Sequence, residues 1–476
     1  MSIDAMIGIG AGLAGEAEAG VAAGVVAGAT AVVLAAGMGT RMRSARPKTL
    51  HPVAGRSMLR HLLTSCEAVF ERVVVVVGPG MEEVAAAAAP HRVVVQHERL
   101  GTAHAALHAA DWFGAGDVAV LYADNPLIEP ATIRRLLARR SAGDVGLALL
   151  SMRVPEPGAY GRVLVRDGYV ERIVEWADAT AAERAETLCN AGVLSAAAAD
   201  MAGWLRAVGN ENAKGEYYLT DIVALARAEG RRVAAVEAPF DELRGVNSRI
   251  ELAGAEAVLQ TRLRRRAMEA GVTMIDPASV FLSHDTVLGE DVTIHPHVVL
   301  GPGVRIASGV EILPFSHLAG CSVASGAVIG PFARLRPGTV LEEDVHIGNF
   351  VELKAAHLGP GAKAGHLTYL GDAEIGARSN IGAGTITCNY DGFGKYRTEI
   401  GTDVFIGSDT ALVAPVRVGD GAIVGAGSVI TNDVSPDALA VARGRQAEKP
   451  GAAPGFRQRA RARSAAQRAQ KQKDKS

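Results

Sequence analysis

The rhythm of apolar positions changes near residue 270 of this chain. Before that point, short continuous aliphatic runs alternate with stretches of helical texture. Residues 31–34, 73–77 and 118–122 are such runs, and they predict strands buried on both faces. Residues 57–70 and 130–140 read as helices between them. Strand and helix in alternation predict a mostly parallel sheet covered by helices. Residues 248–270 read as one long helix, capped at Asn247-Ser248 and stopped at Gly271.

Beyond residue 270 the aliphatic residues recur at every sixth position. Leu288, Ile294, Leu300, Ile306, Ile312 and Leu318 form one series, and after a shorter step Val323, Ile329, Leu335, Leu341, Ile347 and Leu353 form the next. Ile400, Ile406, Leu412, Val418, Val424 and Ile430 form a third. A period of six matches neither a helix nor an alternating strand. It predicts hexapeptide repeats, each supplying one short strand and one corner of a parallel β-helix. The series breaks between Ile381 and Ile400. The reading places an insert at about residues 387–399, looped out from a corner, where a binding element is to be sought.

Composition narrows the class. The 476 residues are 49% hydrophobic and 21% charged, with a formal net charge of −2, which excludes a global attraction to nucleic acid or membrane. No apolar run is long enough to span a bilayer. Residues 1–30 are Ala- and Gly-rich without Lys or Arg, so they lack the basic start of a signal peptide. They read as a disordered lead-in, or as a start placed upstream of the true one. Residues 451–476 carry eight Lys or Arg against one Asp and read as a disordered, solvated basic tail. Cys66, Cys189, Cys321 and Cys388 lie far apart with no metal-ligand spacing, and read as free thiols in a reducing cytoplasm.

The first chemical constellation follows the first strand. Residues 34–42 (LAAGMGTRM) run from an aliphatic strand into a loop with two glycines, where backbone N–H groups can approach phosphate. A glycine pair there also suits a plain tight turn. Arg41 and Lys48, the latter in RPK at residues 46–48, add positive charge within one loop length. At residues 121–124 a strand ends in Asp124, and open α/β sheets bind ligands at such ends.

These motifs resemble the signature of sugar-1-phosphate nucleotidyltransferases. GEYYLTD at residues 215–221, GVN at 245–247, AGHLTYLGDAEIG at 364–376 and the following NIGAGTITCNYDG narrow the resemblance. Together they resemble the bacterial family of bifunctional N-acetylglucosamine-1-phosphate uridylyltransferase/glucosamine-1-phosphate acetyltransferases over about residues 31–450. The resemblance implies an α/β fold, with a Rossmann-like nucleotidyltransferase domain (31–247), a helical linker (248–271) and a left-handed parallel β-helix acetyltransferase domain (272–450). It implies acetylation of glucosamine-1-phosphate by acetyl-CoA, then transfer of UMP from UTP to give UDP-N-acetylglucosamine and pyrophosphate, a precursor of the bacterial cell wall.

Residue roles follow from the same resemblance. Phosphoryl chemistry of this kind leans on positioning and on Mg²⁺ held by few protein oxygens, and Asp124 and Asn247 are implied as the metal ligands. Asn247 is also a natural helix cap. Leu34, Ala35, Ala36 and Gly37 would line the nucleotide with Arg41 and Lys48, while Gln96, Gly101 and Thr102 would read the uracil. Tyr122 and Ala123 would bind the nucleotide beside Asp124. The family commonly has Gly at position 123, and a methyl there would crowd the nucleotide or narrow backbone freedom. Gly161, Glu175 and Asn190 would hold the sugar.

In the coil, acetyl transfer to an amine needs a base, and neutral His suits it. Of the several coil histidines, His366 is implied as that base, with Glu352 as a candidate to orient it. Arg334 and Lys354 would bind the sugar phosphate, and Tyr369 and Asn380 would complete that site. Ala383, Asn389, Tyr390, Ser408, Ala426 and Arg443 match the acetyl-CoA positions. Nothing beside Cys388 resembles an activating base, so no covalent intermediate is expected. The family resemblance also implies a homotrimer with the acetyl site between subunits. Two rival readings remain open: a nucleotidyltransferase whose coil only oligomerises, and a silent scaffold that keeps the fold. The His366 segment and the break argue against the first, and the Arg41, Lys48, Asp124 and Asn247 set against the second.

Overall fold

The computed structural model describes residues 24–473. The lead-in reading for residues 1–23 falls outside the described residues. The first strand begins at Val26, so the N-terminal domain takes in part of the stretch assigned to the lead-in.

That domain is built on nine strands: β1 (Val26–Leu34), β2 (Phe70–Val77), β3 (Arg92–Val95), β4 (Asp117–Tyr122), β5 (Leu147–Arg153), β6 (Arg162–Arg166), β7 (Tyr169–Val174), β8 (Leu188–Ala197) and β9 (Val233–Glu237). Their spatial order is β9-β5-β8-β4-β1-β2-β3, with β6 and β7 attached beside β8. β1 pairs in parallel with β2 and β4, while β8 runs antiparallel to β4 and β5. The aliphatic runs lie in the middle of this sheet because helices cover both faces and leave two apolar cores, one on each side. The predicted helix at 57–70 ends earlier, at Glu67, and Ser57 caps it by accepting a hydrogen bond from the Arg60 N–H.

The coil stacks its short strands in three columns, each strand pairing in parallel with the one a full turn later. One column runs Ile294, Ile312, Ile329, Ile347, Ala364, Ile381, Ile406 and Val424. A second carries Leu282, Leu300, Leu318, Leu335, Leu353 and Leu370, and a third carries Leu288, Ile306, Val323, Leu341, Leu358, Ile375, Ile400 and Val418. All of these residues are buried in one continuous core. The break in the period is smaller than its sequence suggests. Strand Ile386–Cys388 stays in the stack, with Thr387 paired to Leu412 and turned inward. Only the stretch from Asn389 to Arg397 leaves the prism. The polar Thr387 hid that rung from an aliphatic count, and its hydroxyl bonds to the Gly371 main chain.

The helix Arg249–Glu269 joins the two halves, with Ser248 as its cap and Gly271 in a positive-φ conformation just past its end. Its buried Gln260 pairs with Leu282 as a strand would, donating to the carbonyl at 2.6 Å and accepting from the N–H at 2.9 Å. The side chain thereby closes the first edge of the coil. The basic tail departs from the disordered reading. Ala452–Lys473 is a helix, as its Ala, Arg, Gln and Lys content favours. Its described side chains are largely exposed.

Replacing Gln260 by Leu would leave a buried backbone donor and acceptor unpaired. The expected cost is about 2 to 6 kcal/mol, read as a drop in denaturant-unfolding stability of the Gln260→Leu variant. An unchanged midpoint would contradict the edge-closing role.

Candidate active sites

The first site forms where β1 and β4 end side by side. A cavity of about 240 Å³ is lined by Leu34, Ala35, Ala36, Gly37, Lys48, Gln96, Gly101, Thr102, Tyr122 and Asp124. Thr49, Arg99, Ala105 and Glu216 complete its wall. Lys48 reaches its floor because Gly39 has no side chain. A β-carbon on Gly39, whose φ is +62°, would lie 2.5 Å from the Lys48 β-carbon. The ammonium bonds to Asp124 Oδ2 and, at 2.9 Å, to Asn247 Oδ1. Those two oxygens therefore converge on one cation position. The convergence is fixed from behind, since the Val246 N–H donates to the Asp124 carbonyl at 2.9 Å. The Asn247 N–H donates to Glu251 at 2.7 Å.

Gln96 is buried and donates to the Gly101 carbonyl at 3.1 Å. Gly101, at φ +123°, abuts the Tyr217 backbone, where a β-carbon would lie 2.5 Å from the carbonyl oxygen. Thr102 accepts from the Leu219 N–H at 2.9 Å. GEYYLTD thus packs against the segment that carries Gly101 and Thr102. Burial raises the Tyr122 phenol pKa above its ordinary value. Arg41 is exposed and does not line this cavity. Ala123 does not line it either; its side chain is buried in the core. Arg99, which no motif marked, does line it and donates to the Ala36 carbonyl at 2.9 Å.

Gly161, Glu175 and Asn190 lie together outside that cavity. The Asn190 N–H donates to the Gly161 carbonyl at 2.8 Å, and a β-carbon on Gly161 would lie 3.3 Å from Glu175 Oε1. Burial raises the Glu175 carboxyl pKa, against the hydrogen bond it accepts from Thr220 at 3.3 Å.

In the coil, His366 sits at an exposed corner, and Asn349 is its partner one turn back. The imidazole Nδ1 lies 2.8 Å from Asn349 Oδ1. An amide oxygen only accepts, so this contact suits the tautomer with N–H at Nδ1, which leaves Nε2 facing outward as the acceptor. Glu352, expected to orient His366, does not. It accepts from Arg336 Nη1 at 2.9 Å, and Arg334 lies 3.7 Å away. The register gives the reason: Glu352 pairs with Tyr369, three residues past His366. Arg336, which the sequence reading passed over, is the arginine more closely tied to this cluster.

Backbone bonds continue the His366 corner along the coil. Leu367 N donates to Asn349 O, Gly384 N to Leu367 O, Asp409 N to Ala383 O and Gly427 N to Ser408 O. The Arg443 guanidinium donates to Ala426 O at 2.6 Å. Ala383, Ser408, Ala426 and Arg443 therefore form one rail. Lys354 binds both oxygens of Asp372 at 2.9 and 3.0 Å, and Asn389 donates to Asp372 at 2.6 Å. Burial opposes the charge on Asp372, but these donors outweigh it and hold the carboxyl below its usual range. Tyr369 and Asn389 flank Gly371. Asn380 pairs with Lys363 on the column that contains His366. Tyr390 is exposed on the excursion, its hydroxyl bonded to the Gly392 carbonyl at 2.7 Å. All four thiols are free, and only Cys388 is partly exposed.

Comparison with known proteins agrees with both halves. Residues 31–191 match the MobA-like NTP transferase domain family, and residues 285–320 and 397–432 match the six-repeat bacterial transferase hexapeptide family. The chain is 67% identical over 424 residues to the Bifunctional protein GlmU of Acidiphilium cryptum (strain JF-5), covering 89% of this chain and 97% of that one. It is 64% identical over 425 residues to that of Granulibacter bethesdensis, covering 88% and 94%. With that of Paramagnetospirillum magneticum it shares 54% over 444 residues, covering 92% and 98%.

Three variants test the geometry. Gly39→Ala should push Lys48 aside and lower nucleotidyl transfer about 10- to 100-fold, and wild-type turnover in the variant would refute the close approach. Asn349→Ala should lower the acetyl transfer implied for the coil about tenfold or more, with nucleotidyl transfer unchanged. An equal loss from Glu352→Gln would restore the carboxylate as the orienting group.

Proposed function

The chain belongs to the family of bifunctional GlmU proteins, and from that premise we propose how its two sites divide the work. The enzyme acetylates glucosamine-1-phosphate with acetyl-CoA. It then joins the product to UMP from UTP, giving UDP-N-acetylglucosamine and pyrophosphate. The observation that carries the assignment of sites is their separation: the cation-directed pair Asp124 and Asn247 stands on one domain and the His366–Asn349 pair on the other.

At the coil, the amine of glucosamine-1-phosphate attacks the thioester carbonyl carbon. His366 Nε2 accepts the amine proton, Asn349 holds the ring, and the C–S bond breaks to release coenzyme A. Lys354 would bind the sugar phosphate, with Arg336 and Arg334 as further guanidinium donors, and Tyr369 and Asn380 would position the sugar. The rail from Ala383 through Ser408 and Ala426 to Arg443 would carry acetyl-CoA, with Asn389 and Tyr390 beside it. The site assignment also favours this reading over a coil that only oligomerises, since an oriented imidazole serves no packing purpose.

In the N-terminal domain, the sugar phosphate oxygen attacks the α-phosphorus of UTP and pyrophosphate leaves. Leu34 to Gly37 would receive the nucleotide, and Gln96, Gly101 and Thr102 would read its base. Lys48 would neutralise phosphate charge once displaced from Asp124 and Asn247. Those two oxygens fit Mg²⁺, because they already converge on a cation. When bound, the metal would stabilise charge on the phosphates. Gly161, Glu175 and Asn190 would hold N-acetylglucosamine-1-phosphate. The protein would work as a homotrimer in the cytoplasm.

Separability tests the assignment. Asp124→Ala should abolish uridylyl transfer and spare acetylation, and His366→Ala should do the reverse. Products would be followed with glucosamine-1-phosphate, acetyl-CoA, UTP and Mg²⁺, omitting one at a time. Loss of both activities in either folded variant would overturn the two-site model.

A further inference from the structure

Arg162, the first residue of β6, is 1% exposed and is the bulkiest fully buried side chain among the described residues. A buried cation normally has a carboxylate beside it. Here the acceptors are main-chain carbonyls. Nη1 and Nη2 each donate to Gly158 O at 3.1 Å, and Nη1 also donates to Tyr160 O. Nε and Nη2 donate to Arg184 O at 3.4 and 3.2 Å. Trp176 covers the group, its ring centroid 5.0 Å from the guanidinium carbon. Arg184 stacks on the same ring at 4.6 Å and donates to the Trp176 carbonyl at 3.2 Å.

The three carbonyls belong to two segments that meet at the sugar side of the first site. Gly158 and Tyr160 lie in the loop between β5 and β6, and Arg184 ends the short helix Ala181–Arg184 after β7. The loop ends at Gly161, whose carbonyl accepts from Asn190 and on which a β-carbon would lie 3.3 Å from Glu175 Oε1. Tyr160 packs edge-on against Phe240 at 6.3 Å. One guanidinium therefore fixes the backbone that carries Gly161.

We infer that Arg162 is a positioning residue for the sugar phosphate in uridylyl transfer, with Trp176 as its cover. The inference rests on the proposal that Gly161, Glu175 and Asn190 hold that substrate. The planar fork matters, because its spread donors reach the Gly158, Tyr160 and Arg184 carbonyls at once, whereas the three donors of a lysine ammonium radiate from a single point.

The test is steady-state kinetics on Arg162→Lys, Trp176→Leu and Asn190→Ala, with acetyl transfer measured in the same preparations. Arg162→Lys should raise KM for N-acetylglucosamine-1-phosphate about 10- to 100-fold. KM for UTP and the acetyl rate should stay within about twofold. Trp176 is 41% exposed, so Trp176→Leu folds even where the buried change does not, and it should raise the same KM about threefold or more. A merely structural role would lower both KM selectivity and stability without singling out the sugar. If Asn190→Ala raises the sugar KM and neither Arg162→Lys nor Trp176→Leu does, the inference is overturned and the sugar site stands. If none of the three raises it, the sugar-site assignment falls and the inference with it.

Discussion

A stack of parallel coils has two open edges, and each edge exposes backbone groups that must be paired or covered. At the first edge, the protein meets this requirement with the side chain of Gln260 on the linker helix. Arg264 adds bonds to the carbonyls of Pro277, Ala278 and Val280 from the same helix. That helix cannot move without opening the coil. Its other end starts at Ser248, next to Asn247, and Arg262 binds the Leu127 carbonyl and Glu129 of the N-terminal domain. A hairpin at residues 52–57 makes a second bridge, with the Ala54 carbonyl accepting from His284 N at 2.9 Å. The two halves are therefore held by a rod of 21 residues, about 30 Å long, and by this hairpin. Each site is anchored to the rod or to the coil it caps, so neither depends on the other for its local geometry.

Within the coil, the candidate site occupies the places where the repeat departs from its own rule. Most inward positions are Ile, Leu or Val, and they make a dry core. Around His366 the pattern loosens. Ala364 and Ala373 replace larger residues, and Thr387 spends an inward position on hydrogen bonds to Gly371. Gly348 cannot carry a side chain, because Gly365 O would collide with it. Small residues bring adjacent turns close enough for Asn349 to reach His366. The same closeness makes the corner from Asn349 to Ser408 a continuous hydrogen-bonded line.

The sequence predicted what depends on the periodicity of single positions, while what depends on register required counting the residues in each turn. Its runs and six-residue steps matched β1, β2, β4, the helix Pro130–Arg140 and the inward columns because burial acts on single positions. The partner of His366 depends instead on which residue stands one turn earlier. Turns in that region are one residue shorter than at the start of the coil, which brings Asn349 to His366 and moves Glu352 to Tyr369. The short steps were visible in the chain, and applying them to His366 would have led to Asn349. Arg99 carries no comparable signal, because its place depends on the contact of its side chain with the Ala36 carbonyl. The tail helix was missed for another reason: charge suggested solvent, while helix propensity, which acts locally, ordered the backbone.

The substitution expected to crowd the nucleotide shows how strand geometry protects a site. Successive residues leaving a strand point to opposite sides. Tyr122 and Asp124 line the cavity, whereas Leu121 and Ala123 pack into the core beside Ala35, Cys189 and Ala191. The methyl of Ala123 is 1% exposed and meets apolar neighbours, not phosphate. Its N–H still donates to the Leu34 carbonyl at 3.0 Å, which holds the ends of β1 and β4 level. A small side chain at position 123 therefore adds buried apolar contact on one side of the sheet and leaves the floor of the site on the other side unchanged. Size at this position is limited by the core, and chemistry at this position is limited to a backbone bond that alanine makes as well as glycine.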